Sequence, residues 1–216
     1  MKIYIKAAIT DLENEDYEVR LSIASNPTTR PEILAKLACE DDDMIRKAVA
    51  DNPNTPSDVI AKLTEDTDWR VCERAILNPN IPVEILKDIV YNGGPLDREL
   101  AAGNPSTPAD LLIELYKSSD PDIQAQLAEN PSTPVSILDK LANSNLANTL
   151  CRLARNPNIS LSTLQKLASN PNSWLVRLAT VDNPKITVDI LQQLAEDDRE
   201  DVRWLATKKL EQLGEQ

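Results

Sequence analysis

Residues 26–51 read NPTTRPEILAKLACEDDDMIRKAVAD, and the rest of the chain is largely this stretch repeated. Asn-Pro recurs at Asn26, Asn52, Asn78, Asn104, Asn130 and Asn156, each step 26 residues, and once more at Asn183 after 27. A fixed period of this length marks an array in which one unit cannot bury its own apolar face and must stack on its neighbours. Counting each unit from its Asn as position 1, the pattern is N-P-x-[T/I]-P-x-x-[I/V/L]-[L/I]-x-K-L-A, then an acidic or polar loop, then V-R-x-x-x-x-x leading into the next Asn-Pro.

Each part of the unit predicts a local structure. Thr55-Pro56-Ser57-Asp58 and Thr107-Pro108-Ala109-Asp110 read as helix starts, with Thr as N-cap, Pro at the first helical position and an acid three residues past the cap. Ile33, Leu34, Leu37 and Ala38, like Ile137, Leu138, Leu141 and Ala142, fall on one helical face. Beyond the loop, Ile45, Ala48, Val49 and Ala50 form a second, shorter apolar face. Proline disfavours the α conformation in the residue before it, so this second helix ends at the next Asn, whose side chain can bond the backbone of the turn.

No sustained period-2 alternation competes. The expected fold is therefore all-α, an α-solenoid of 26-residue helix–turn–helix repeats with one continuous core. Residues 1–216 are expected to form a single repeat domain: 1–25 a degenerate N-terminal capping unit, 26–207 seven tandem repeats, and 208–216 a C-terminal cap.

The combination N-P-x-T-P-x-x-[I/V]-L-x-K-L-A and V-R-x-A-V-A resembles the leucine-rich repeat variant, a family of short helical repeats, over residues 15 to 207. The resemblance implies a right-handed superhelix without sheet, in which one helix of each unit is α and the other tends to 3₁₀. It implies no reaction. Some members carry a Cys-rich iron–sulfur segment ahead of the repeats; this sequence has no such cluster of Cys, and no cofactor is expected. Units depart from the pattern at Ile81, at Gly93-Gly94-Pro95, at Thr149-Leu150, at Ile159-Ser160 and in a one-residue insertion around Asn170-Pro171-Asn172.

Composition narrows the function classes. Of 216 residues, 41% are apolar and 27% charged, too apolar for a disordered chain and too polar for a membrane protein. Histidine is absent, which excludes His-based triads and His-ligated zinc. Cys39, Cys72 and Cys151 are far apart and in no C-x-x-C spacing, as suits reduced thiols packed as small hydrophobes in a cytoplasmic protein. The opening MKIYIKAAITDLENED, broken by Lys6 and running into acids, reads neither as a signal-peptide core nor as a membrane span. The runs Glu40–Asp43 and Glu196–Asp198 lack the alternating spacing of a calcium loop and are expected to be solvated, helix-capping loops with no metal.

Candidate binding residues come from two patterns. Arg20, Arg46, Arg98, Arg177 and Arg203 share position 21, with Cys72, Gln124 and Leu150 in the other units. Such a column either grips an acidic ligand or forms ion pairs with the acid-rich loop ahead of each arginine, and the broken column favours ion pairs. Trp69 and Tyr17 share position 18 and are expected in the core. Trp204 sits at position 22, where other units carry Lys47, Glu73 and Glu99; it is either covered by the C-terminal extension or an exposed anchor, and Trp174 poses the same choice.

The function expected is a non-catalytic protein–protein interaction module or scaffold, presenting a curved acidic surface to a protein or peptide partner. The formal net charge of −12 points to a partner of basic or mixed charge. An enzyme or regulatory subunit using surface carboxylates or a Cys is the alternative. A nucleic-acid-binding solenoid ranks below it, because a pI of about 4.5 opposes phosphate binding. Neither a nucleic-acid nor a membrane partner is expected.

Overall fold

The computed structural model describes residues 16–214; the first part of the expected N-terminal cap and the last two residues of the C-terminal one lie outside them. The chain divides between Ser106 and Thr107 into two compact units. The first contains α1 (Tyr17–Ser25), α2 (Pro31–Leu37), α3 (Asp43–Asp51), α4 (Ser57–Leu63), α5 (Trp69–Leu77), α6 (Val83–Asn92) and α7 (Pro95–Gly103). The second contains α8 (Ala109–Tyr116), α9 (Pro121–Glu129), α10 (Val135–Leu141), α11 (Ala147–Arg155), α12 (Leu161–Ala168), α13 (Trp174–Val181), α14 (Val188–Leu194) and α15 (Glu200–Gly214). Among the described residues there is no strand, and within each unit the helices stack as an α-solenoid.

Even-numbered helices open each repeat and odd-numbered ones close it. In the first unit α1, α3, α5 and α7 pack in file, and in the second α9, α11, α13 and α15 do the same. Positions 24 and 25 explain the file: Val49 and Ala50, Ala75 and Ile76, Ala101 and Ala102, Leu127 and Ala128, Leu153 and Ala154 are all buried, and the small member of each pair lets neighbouring axes approach. The even-numbered helices lay Leu or Ile at positions 9 and 12 against that file, with Leu34, Leu37, Ile60, Leu63, Leu86, Ile89, Leu138 and Leu141 buried.

Both helices of each repeat are α, where the family resemblance implied a 3₁₀ partner. The opening helices are so short that i→i+3 bonds frame them, as in α2, where Ile33 N–H donates to Arg30 and Cys39 N–H to Lys36, while Leu34 and Ala38 N–H make α-type bonds between.

The Thr-Pro start also differs from expectation. Pro56 and Pro108 are the N-caps and stand in extended conformation, so α4 and α8 begin one residue later than the sequence pattern indicates. Thr55, before Pro56, bonds the wrong way for a capping box, and Thr29, before Arg30, does the same. Thr29 and Thr55 are buried and donate from Oγ1 to the carbonyls of Ile23 and Val49, each 2.6 Å away, closing the helix that has just ended. Where position 5 is Ser160 or Thr187 instead of Pro, the hydroxyl does cap the following helix. The closing helices α3, α5 and α9 are capped by loop acids, Asp42, Asp68 and Asp120 each accepting from backbone N–H groups of the first turn.

Candidate functional site

The most regular polar feature is a ladder of buried asparagines. The carboxamide of Asn52 donates from Nδ2 to the carbonyls of Ala24 in α1 (2.7 Å) and of Asn26, which opens the preceding repeat (2.8 Å), and its Oδ1 accepts from Asn54 N–H at 2.9 Å. Asn78 repeats this on Ala50, Asn52 and Asn80, and Asn104 on Ile76, Asn78 and Ser106. In the second unit Asn156 and Asn183 do the same. Each amide thereby satisfies a carbonyl in the last turn of the previous closing helix, where the helix itself offers no partner. The motif's local turn role was legible in the sequence; its reach into the neighbouring repeat was not. The asparagines stitch the scaffold and present nothing to a ligand.

Three of the five column arginines, Arg20, Arg46 and Arg177, are tied into the next repeat, while Arg98 and Arg203 bond carbonyls of their own repeats and the buried Nε of Arg98 has no partner among the described residues. Arg46 grips Asp66 of the next repeat with Nε and Nη2 (2.7 and 2.9 Å), while Nη1 bonds the carbonyls of Glu40 and Asp41 in its own loop. Its side chain and that of Asp66 are 13% and 8% exposed, so water reaches little of the pair. Arg177 makes the equivalent fork to Asp197 (2.6 and 2.8 Å) and adds Asp198 and the Asn170 carbonyl. Arg20 pairs with Glu40 at 3.0 Å, Arg203 donates to the Asp197 carbonyl, and Arg98 to the carbonyl of Tyr91. At Cys72 a thiol replaces the guanidinium and reaches the Asp66 carbonyl. The hydrogen bond from Arg46 holds the Asp66 carboxyl below its usual range, and that from Arg177 holds Asp197 at about 2.

Tryptophan placement overturns one expectation and resolves another. Trp69 is 66% exposed, not core, and Trp204 is 61% exposed, with α15 running past it rather than covering it. One phase relation accounts for both. Buried Val71, Val176 and Val202 lie two residues from Trp69, Trp174 and Trp204, and two residues are about 200° of helical turn, so each indole leaves from the face opposite the core. That phase was readable in the sequence, and it outweighs the match of Trp69 to Tyr17, itself only half-buried. The three thiols are not core either: Cys39 is exposed and Cys72 and Cys151 are half-buried, with burial pushing the last two above the usual thiol range.

Trp174 and Trp204, separate in the sequence, are brought together by the stacking of α13 on α15. With Leu178, Leu205, Glu200 and Asp201 they line an open groove of about 490 Å³ in the second unit. Arg199 rests over the Trp174 ring, its Cζ 4.8 Å from the centroid. A larger hollow of about 580 Å³ crosses the Asn-Pro turns of the first unit between Pro31, Pro53, Pro56 and Pro79. Its polar lining is already engaged, since Asn54 and Asn80 donate to the carbonyls of Thr29, Pro53 and Thr55. The tryptophan groove is the better candidate site. Among the described residues no three Cys, Asp or Glu side chains converge as a metal-ligand set, and no helix is long and apolar enough to cross a membrane.

A solved structure described as a leucine-rich repeat variant with a novel repetitive structural motif aligns with 92% of the chain and 78% of its own, at a TM-score of 0.51 and 22% identity. The chain shares the fold of a leucine-rich repeat variant. No family model and no curated protein matches the sequence. The leucine-rich repeat variant fold places the Asn-Pro turns, the paired helices and the outward tryptophans in one framework, and leaves the chemistry to the residues.

Proposed function

We propose that the chain is a non-catalytic interaction module that binds a protein or peptide of basic or mixed charge, with the Trp174–Trp204 groove as its contact surface. The observation that carries this reading is the groove itself: two indoles and two leucines, open to solvent and edged by Glu200 and Asp201. Aromatic anchors in a partly desolvated site dominate the energetics of interfaces. The arginine column serves the scaffold in this reading, because Arg46 and Arg177 spend their guanidinium donors on neighbouring repeats. The raised thiols of Cys72 and Cys151 favour the unreactive protonated form, which supports a binding role over nucleophilic chemistry. Three free cysteines suit a reducing, cytoplasmic setting. The excess of acid attracts a basic partner and repels nucleic acid.

Affinity purification with the wild type, Trp204→Ala and Trp69→Ala chains tests the proposal. A partner retained by Trp69→Ala, lost by Trp204→Ala and released as salt rises is the expected result; a partner set that ignores Trp204→Ala places binding elsewhere.

A further inference from the structure

The guanidinium of Arg199 has an unusual resting place. Its sequence neighbours are Glu196, Asp197, Asp198, Glu200 and Asp201, yet among the described residues it makes no ion pair with any of them and lies over the indole of Trp174 instead. A cation surrounded by carboxylates that settles on a ring marks that ring as a favourable cation site. The adjoining groove supplies the rest of a receptor: a second indole in Trp204, the Glu200 and Asp201 carboxylates at the edge, and Leu178 and Leu205 to exclude water from one side.

We propose that this groove receives an arginine side chain of the partner, its guanidinium stacked on indole and paired with Glu200 or Asp201, with an adjacent apolar side chain of the same peptide against Leu178 and Leu205. Arginine suits the site better than lysine, because its planar group stacks on an aromatic face and meets a carboxylate through two parallel N–H bonds, whereas an ammonium is a compact, strongly hydrated charge. Arg199 then acts as an internal occupant of the Trp174 ring that the incoming guanidinium competes with. This inference rests on the peptide-binding reading above and adds the chemistry of what is bound.

The test titrates capped tetrapeptides into the full chain: acetyl-Gly-Arg-Leu-Gly-amide and its lysine, citrulline and glutamate counterparts, followed by the NMR shifts of the three indole N–H groups. The arginine peptide is expected to shift the Trp174 and Trp204 signals and leave Trp69 alone. The neutral citrulline peptide should bind about fivefold more weakly, lysine should fall between, and glutamate should fail to bind. Trp204→Ala and the Glu200→Gln, Asp201→Asn pair, all at exposed positions, should weaken the arginine peptide with an unchanged melting temperature; Arg199→Ala should strengthen it. Equal binding of the arginine and citrulline peptides overturns the cation inference while leaving the groove a peptide site. If no peptide moves either groove indole, the inference fails, and the binding reading is then judged by whether Trp204→Ala loses its purified partner.

Discussion

Both donors of the Asn78 carboxamide are spent: the bonds from Nδ2 go to the carbonyls of Ala50 and Asn52, at 2.7 and 3.0 Å, and Oδ1 holds its own turn. Asn78→Ala removes the donor and leaves buried carbonyls bare, a loss of about 2–3 kcal/mol that urea unfolding should register. Asn26, at the outer end of the ladder, is exposed, so Asn26→Ala should cost well under half as much. Asp197 gives the other residue-scale expectation. Its side chain is only 6% exposed, and its carboxyl titrates at about 2 because Arg177 binds it. A carboxylate whose folded-state pKa is depressed stabilises fully above its unfolded value near 4 and loses that contribution as pH falls through the folded one. Wild type should therefore exceed Asp197→Asn by roughly 2 kcal/mol at pH 7, and parallel unfolding curves should show the gap intact at pH 5 and closing towards pH 2.

At the scale of single helices, the loop between α6 and α7 sets two glycines side by side with different duties. A Cβ on Gly93 would lie 2.5 Å from the carbonyl oxygen and 3.1 Å from the Cα of Ile89, both backbone atoms of α6 that cannot swing aside. A Cβ on Gly94 meets only the Asp97 carboxylate, at 3.4 Å. Gly93→Ala should cost about 1–3 kcal/mol in thermal or urea unfolding, and Gly94→Ala a fraction of that. The sequence placed this loop but not the difference within it, since the crowding comes from how α6 ends. The same limit explains Thr55. Thr-Pro followed by an acid fits a capping box, but an N-cap must sit next to the first helical residue, and extended Pro56 takes that place. Period and apolar phase were legible because they are properties of one helix; hydrogen bonds reaching back to the previous repeat were not, because their acceptors are backbone carbonyls that no residue type advertises.

For the whole array, the 26-residue step is a mechanical register and not only a sequence pattern, and deletion can test it. Removing residues 26–51 joins Ser25 to Asn52, gives up the Arg70–Asp43 pair, whose place falls to Tyr17, and keeps the asparagine, threonine and arginine-column contacts across the cut. Asn78 keeps the Asn52 carbonyl and meets Ala24 where Ala50 stood, two alanines that both serve as acceptors in the intact chain. Thr55 finds the Ile23 carbonyl in place of Val49, the acceptor that Thr29 uses now. Arg20, paired with Glu40, comes into register with Asp66, which Arg46 binds now. The shortened chain should fold with a helical circular dichroism spectrum and unfold cooperatively, with an m-value lower by about a tenth, since m follows the surface buried. Deleting residues 26–38, half a step, strands α1 beside the acidic loop of α3 with neither turn nor opening helix between them, and that chain should fail to give a cooperative transition. If both deletions unfold alike, the register does not hold the repeats together. If only the full-step deletion folds, its tryptophan groove, formed entirely by residues of the second unit, should bind partner as the intact chain does.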